Sequence, residues 1–237
     1  MPILRKMPPV VIDKAHLRKF GKMWKKNGGS LSRTPPCSSS ELGQLFDRAV
    51  GKSLAELLGG IPIASPSASS LSAPKADCVE VGHVRVIGGV RPQNFDVGYR
   101  PDGLRFAYDS KTLNDEKSVR KNWQNMINDL ATEATTVHTR FPHAVVAFAV
   151  MIPEPCIADT QRRAMIETLE RLARRVGVRN DSHMAEAMSL VLWNPEDGRI
   201  DKNVPQKTSP LRLEKLSQQI EAVYISRYKG LPPHASE

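Results

Sequence analysis

Asp96, Asp109 and Lys111 are the side chains of this 237-residue chain best placed to do chemistry together. They lie in the run Asn94-Phe95-Asp96-Val97-Gly98-Tyr99-Arg100-Pro101-Asp102-Gly103-Leu104-Arg105-Phe106-Ala107-Tyr108-Asp109-Ser110-Lys111. Pro-Asp-Gly between two Tyr- and Phe-bearing stretches is a hairpin signal. A turn centred on Pro101, Asp102 and Gly103 folds Asp96 back against Tyr108 or Asp109. Asp109 and Lys111 are two apart, so on a strand they project from one face. Two carboxylates gathered that closely repel unless something cationic sits between them. A divalent metal with a lysine beside it answers that problem, and it is also a hydrolytic centre.

The flanking segments supply a frame. Ser38, Ser39 and Ser40 offer caps for a helix over about 40–58, whose apolar stripe is Leu42, Leu45, Phe46, Ala49, Val50, Leu54, Leu57 and Leu58. Gly59-Gly60 ends it, and residues 61–77, rich in Ser, Pro and Ala, read as a loop. Val79, Val81, His83 or Val84, and Val86 suggest a strand, and the two hairpin strands follow. Asn114-Asp115 can cap a long helix over about 116–138. The unbroken apolar run 144–151 fits a strand covered on both faces. Helices are expected over about 159–176 and 210–228, with a strand near 188–193. The middle of the chain therefore reads helix, three strands, helix, strand. Its last step has the length of a parallel crossover unit.

An acid-x-Lys triplet alone says little. Asp115-Glu116-Lys117 matches it too and reads as a capped helix start. Asp109-Ser110-Lys111 differs, because it lies on an apolar strand with Leu104, Phe106 and Tyr108, where a charged pair is expensive without a purpose. With Asp96 across the turn and this element order, residues 38–152 resemble the PD-(D/E)xK nuclease superfamily, which includes the type II restriction endonucleases. The chain departs from that pattern in having Phe95 rather than proline before the first acid, and Asp109 where glutamate is commoner. The literal Pro101-Asp102 pair is a decoy, since seven residues of strand carry it some 20 Å from Asp109. Gly43-Gln44-Leu45-Phe46-Asp47 has the shape of the family's Gly-x-x-Phe-Glu helix motif, making Asp47 a candidate supporting ligand, with Glu41 and Glu56 as rivals.

The resemblance implies an α/β fold with a restriction-endonuclease-like core and a site of hard oxygen ligands. Such ligands favour Mg²⁺, with Mn²⁺ as a substitute. Asp96 would bridge the metal or metals, and Asp109 with the Ser110 carbonyl would complete the ligands. Lys111 would orient the attacking water and help to deprotonate it, leaving 5′-phosphate and 3′-hydroxyl ends. On the helix after the motif, Lys117, Arg120, Lys121, Asn122, Gln124, Asn125 and Asn128 are the types that hold phosphates or read base edges. They are equally the polar face of an amphipathic helix whose buried side is Trp123, Met126, Ile127 and Leu130.

Charge is unevenly placed. Residues 1–36 carry nine Lys and Arg against Asp13 alone, a net of +8, while the other 201 residues hold 25 basic and 24 acidic groups. Leu17, Phe20, Met23 and Trp24 recur at helical spacing among those lysines. A basic arm over 1–36, helical or partly disordered, is thus expected ahead of a nuclease domain over 37–237. That domain would comprise a core at 38–152 and a helical elaboration at 153–237. The arm suits a polyanion such as double-stranded DNA, although a solvated tail has the same composition. No apolar run approaches the roughly 20 residues of a membrane span. Cys37, Cys78 and Cys156 are too few and too scattered for a disulfide framework, which suggests a reducing cytoplasm.

The expectation is a Mg²⁺-dependent type II restriction enzyme, homodimeric because cutting two strands needs two sites, with a cognate DNA methyltransferase as partner. Rival readings are a superfamily nuclease of repair, junction resolution or transposition, and a nucleic-acid-binding module without catalysis.

Overall fold

The computed structural model describes residues 3–67, 70–179 and 181–234, and among these are five α-helices and one mixed six-stranded sheet. The helices are α1 (Lys14–Lys26), α2 (Ser39–Leu57), α3 (Glu116–Arg140), α4 (Asp159–Leu172) and α5 (Leu213–Tyr228). The strands are β1 (Ile63–Ala64), β2 (Val79–Ile87), β3 (Pro92–Tyr99), β4 (Phe106–Thr112), β5 (Val145–Pro153) and β6 (Ala187–Trp193), and they lie side by side in chain order. β2, β3 and β4 pair antiparallel, whereas β1 runs parallel to β2, β5 to β4 and β6 to β5. The expected helix–three strands–helix–strand order is present as α2 through β5, within an α/β fold. The two-residue β1, inside the segment read as loop, was not expected.

Alternation along the strands builds two cores. Phe106 and Tyr108 of β4, with Ala147, Ala149 and Met151 of β5, pack with α1, α2 and α5. Ala107, with Val146, Phe148, Val150 and Ile152, packs under α3 and α4. β5 and β6 are buried along their whole length, as a strand covered on both faces must be.

The amino-terminal arm does not stand off from the body. α1 forms with Leu17 and Phe20 buried in the α2-side core, while Lys14, Arg18, Lys19, Lys22, Lys25 and Lys26 stay exposed. A Cβ on Gly21 would come within 1.9 Å of the Pro195 carbonyl oxygen, so only glycine lets α1 sit this close to the loop after β6. The Trp24 indole donates to the Asn114 carbonyl at 2.6 Å, tying the arm to the turn before α3.

At the opposite end of the parallel strands Glu186 is fully buried. It accepts from Arg175, from His138 Nε2 at 3.2 Å and from the Val146 N–H at 2.8 Å, and it forms an ion pair with Arg227 at 2.9 Å. Burial alone would raise its pKa. The His138 hydrogen bond and the neighbouring cations prevail and hold it at about 2. A group depressed this far stabilises the fold above the ordinary glutamate range and loses that contribution as pH falls toward 2. Among the described residues no helix is long and apolar enough to cross a membrane.

Removing Glu186 strands Arg175 and Arg227 in the interior. We expect Glu186→Ala to cost about 3–5 kcal/mol in urea unfolding at pH 7. The same variant should flatten the acid limb of the wild-type stability curve below pH 4.5.

Candidate active site

The site begins where a ladder ends. β3 and β4 pair only from Tyr99↔Phe106 through Val97↔Tyr108. Beyond that point β3 stays with β2, and β4 stays with β5 as far as Thr112. The strands part and leave a wedge. The Ser110 N–H on its rim would lack a ladder partner; instead it donates to Asp96 Oδ2 at 2.9 Å, and the Ser110 hydroxyl donates to the same oxygen at 3.0 Å. One carboxylate thus replaces the missing strand–strand bond.

A β-bulge contributes to this geometry. Val81 pairs with Val97 but Val84 with Phe95, so Gly82 and His83 together stand opposite Asp96. Val97 packs in the α2-side core and Phe95 in the α3-side core, so β3 changes faces at Asp96. Asp96 can therefore interact with both Asp47 on α2 and Asp109 on β4.

α2 brings Asp47 to the wedge. Ser38 and Glu41 close a capping box that fixes the start of the helix. Gly43 then faces β4, where an added Cβ would lie 2.9 Å from Ser110 Oγ. Asp47, one turn further on the same face, is 4% exposed, and its Oδ1 is buried without a partner. Of its sequence rivals, Glu41 is spent on the Ser38 backbone at 2.8 Å, and Glu56 is a half-exposed partner of Arg5. Asp102 lies at the turn, paired with Arg105.

On the α3 side, Lys111 Nζ bonds Asp109 and, at 2.8 Å, Glu133. Glu133 was not singled out from the sequence, and neither was Gln93, whose amide donates to the same Glu133 oxygen at 3.1 Å. The signal for Glu133 was its place within the stripe Met126, Leu130, Ala134 and Val137, where an acid needs a partner. The sequence-derived residues Asp47, Asp96, Asp109, Ser110 and Lys111 are thus brought together. Lys117, Arg120, Lys121, Asn122, Gln124 and Asn125 lie exposed along the first turns of α3, outside the wedge. A cleft of about 730 Å³ runs between Trp24, Gly28 and Gly29 on one side and Lys117 and Arg120 on the other. A larger cleft, about 1060 Å³ between residues 9–14 and 194–203, is lined by none of these acids.

Burial and mutual repulsion raise the carboxyl groups, Asp47 to about 8 and Asp96 to about 7. Asp109 is also raised by burial, with the Lys111 ammonium opposing. Burial would lower Lys111, but Asp109 and Glu133 hold it above the ordinary lysine range, as an ammonium. Among the described residues no three His, Cys, Asp or Glu side chains already surround one cation position. Asp96 is turned to Ser110, and Asp109 is neutralised by Lys111. The donor set nonetheless fits a hard divalent cation: three neighbouring carboxyl groups, one with an unpartnered buried oxygen, relieve their repulsion by exchanging protons for it.

Carboxyl groups raised in the folded state retain protons that the unfolded chain releases near pH 4, so stability falls as pH climbs from about 4 to about 8. Asp47→Asn should shrink the loss in urea midpoint between pH 5 and pH 8. Mg²⁺ added at pH 8 should raise the wild-type Tm and leave that of Asp96→Asn unmoved. No family model, no curated protein and no solved structure matches this chain.

Proposed function

We propose that the protein is a Mg²⁺-dependent endonuclease of the PD-(D/E)xK type that hydrolyses phosphodiester bonds in double-stranded DNA, with site-specific cleavage of the type II restriction class. The observation that carries the reading is the Asp96 carboxylate filling the wedge at Ser110, which sets it beside Asp109 and the Lys111 ammonium. That is the acid and acid-x-Lys constellation on a hairpin between two helices.

Asp96 and Asp109 would hold the cation, with the Ser110 carbonyl completing the set and Asp47 supporting from α2. When bound, Mg²⁺, or Mn²⁺ in its place, supplies charge neutralisation at the phosphate and lowers the pKa of water. Lys111, as an ammonium, has no lone pair with which to accept a proton. Two of its three N–H donors go to Asp109 and Glu133, and the third can orient the attacking water or stabilise a phosphate oxygen. DNA would run along the exposed face of α3. There Lys117, Arg120 and Lys121 suit phosphates, while Asn122, Gln124 and Asn125 suit base edges. The exposed cations of α1, across the 730 Å³ cleft, extend that track. One chain carries one such site, so scission of both strands calls for a homodimer. A restriction role further calls for a methyltransferase that protects the host's own sites.

Asp96→Ala and Lys111→Ala should each lower the cleavage rate of unmethylated plasmid DNA by about 100-fold or more. Binding in Ca²⁺ should persist; undiminished cutting by either variant would refute the roles assigned here. Discrete fragments support site-specific restriction, whereas a smear points to another nuclease of the same chemistry. Metal-independent binding with no nicking points to a binding module. Gly43→Ala separates geometry from stability. Alanine favours the helix by about 1 kcal/mol, but its methyl pushes on Ser110 Oγ. We expect a fall in kcat with little change in Tm.

A further inference from the structure

Lys111 is held from two sides, and the two holds differ in kind. Asp109 belongs to the same strand and is itself a candidate ligand. Glu133 comes from α3, is 3% exposed and lies in the helix's apolar stripe. Its Oε1 accepts from both Lys111 at 2.8 Å and Gln93 at 3.1 Å, so it bridges β4 and β3 across the open wedge. A carboxylate buried at several kcal/mol of desolvation cost, with its second oxygen unpartnered, is an expensive way to fill a helix stripe. Its position makes sense if Lys111 must stay put when Asp109 cannot hold it. A carboxylate that turns to a divalent cation gives up much of its attraction for a neighbouring ammonium. Lys111, a flexible four-carbon stem with a partly exposed head, would then be free to swing outward.

We propose that Glu133 is a positioning residue that keeps the Lys111 ammonium in the site once Asp109 is engaged by a divalent cation. The catalytic part of this inference rests on the nuclease reading; the anchoring itself is a property of the fold. Glu133→Gln keeps the side-chain volume and an acceptor for Gln93 but removes the charge. Glu133→Asp keeps the charge and shortens the reach. Asp129→Asn, an exposed acid one turn earlier on α3, is the control.

The test is competitive acetylation of lysine amines in the full-length protein, with and without Mg²⁺, read at Lys111 by mass spectrometry. Melting curves would confirm folding of each variant. In Mg²⁺ we expect Lys111 to remain slow to label in the wild type and Asp129→Asn. In Glu133→Gln it should label several-fold faster, with Glu133→Asp intermediate. On plasmid DNA, Glu133→Gln should lower kcat by roughly 100-fold with KM unchanged. Equal labelling of Lys111 in wild type and Glu133→Gln with Mg²⁺ overturns the inference, whatever the DNA assay reads. Labelling that follows Glu133 in a wild-type protein that cuts no DNA supports the anchoring and removes the nuclease reading instead.

Discussion

The hydrogen bonds from Ser110 to the Asp96 carboxylate sit where a sheet would otherwise have to continue or stop. β4 is a central strand, and Ser110 lies where its burial gives way to partial exposure, so the N–H there needs a partner in the fold. Had β3 continued alongside, its backbone would have satisfied Ser110 and closed the gap. Because an aspartate side chain takes that duty, the strands can part while the central strand remains satisfied. The opening then becomes the one place among these elements where acids from α2, β3 and β4 and a cation from β4 meet. The surrounding architecture supports that arrangement: a capping box that fixes the start of α2, a glycine that lets the helix settle on Ser110, and a long α3 that closes the other side.

The two ends of the parallel strands handle charge in opposite ways. At the amino-terminal ends, Glu186 is saturated by two arginines, a histidine and a backbone N–H, and its pKa is driven down. At the wedge the carboxyl groups outnumber their cation, and their pKa values are driven up. The first arrangement balances its carboxylate with cations and ties α3, α5 and the segment after α4 to the sheet. The second is incomplete and stores unfavourable charge, the condition expected of a group of residues kept for chemistry rather than stability.

Much of this was legible in the chain because it is local. The Pro101-Asp102-Gly103 turn sets the hairpin register, whose last pair, Val97 with Tyr108, leaves residues 96 and 109 next in line across the wedge. The caps at Ser38 and Asp115 mark the starts of α2 and α3. The continuous apolar runs mark β5 and β6. What was less legible depends on distant partners. The helical period of Leu17 and Phe20 was visible, but nothing local said that they would join the core under α2 or that Gly21 would meet the loop at Pro195, and the expected arm proved to be part of the core. The pairings of Glu133 with Lys111 and of Glu186 with Arg175 and Arg227 join different elements and follow from no sequence period. The bulge at Gly82 and His83 left only a blurred strand pattern, in which His83 and Val84 competed for the same face.

That bulge also decides which kinds of change this part of the protein can absorb. Pleat direction is a count rather than a chemistry: deleting one residue between Val81 and Val84 would spare every acid and the lysine, yet shift the rest of β2 by one place and turn its outward side chains inward. Replacement of the side chain at His83, which is exposed, disturbs no such count. Around the wedge, chain length is therefore constrained more tightly than composition.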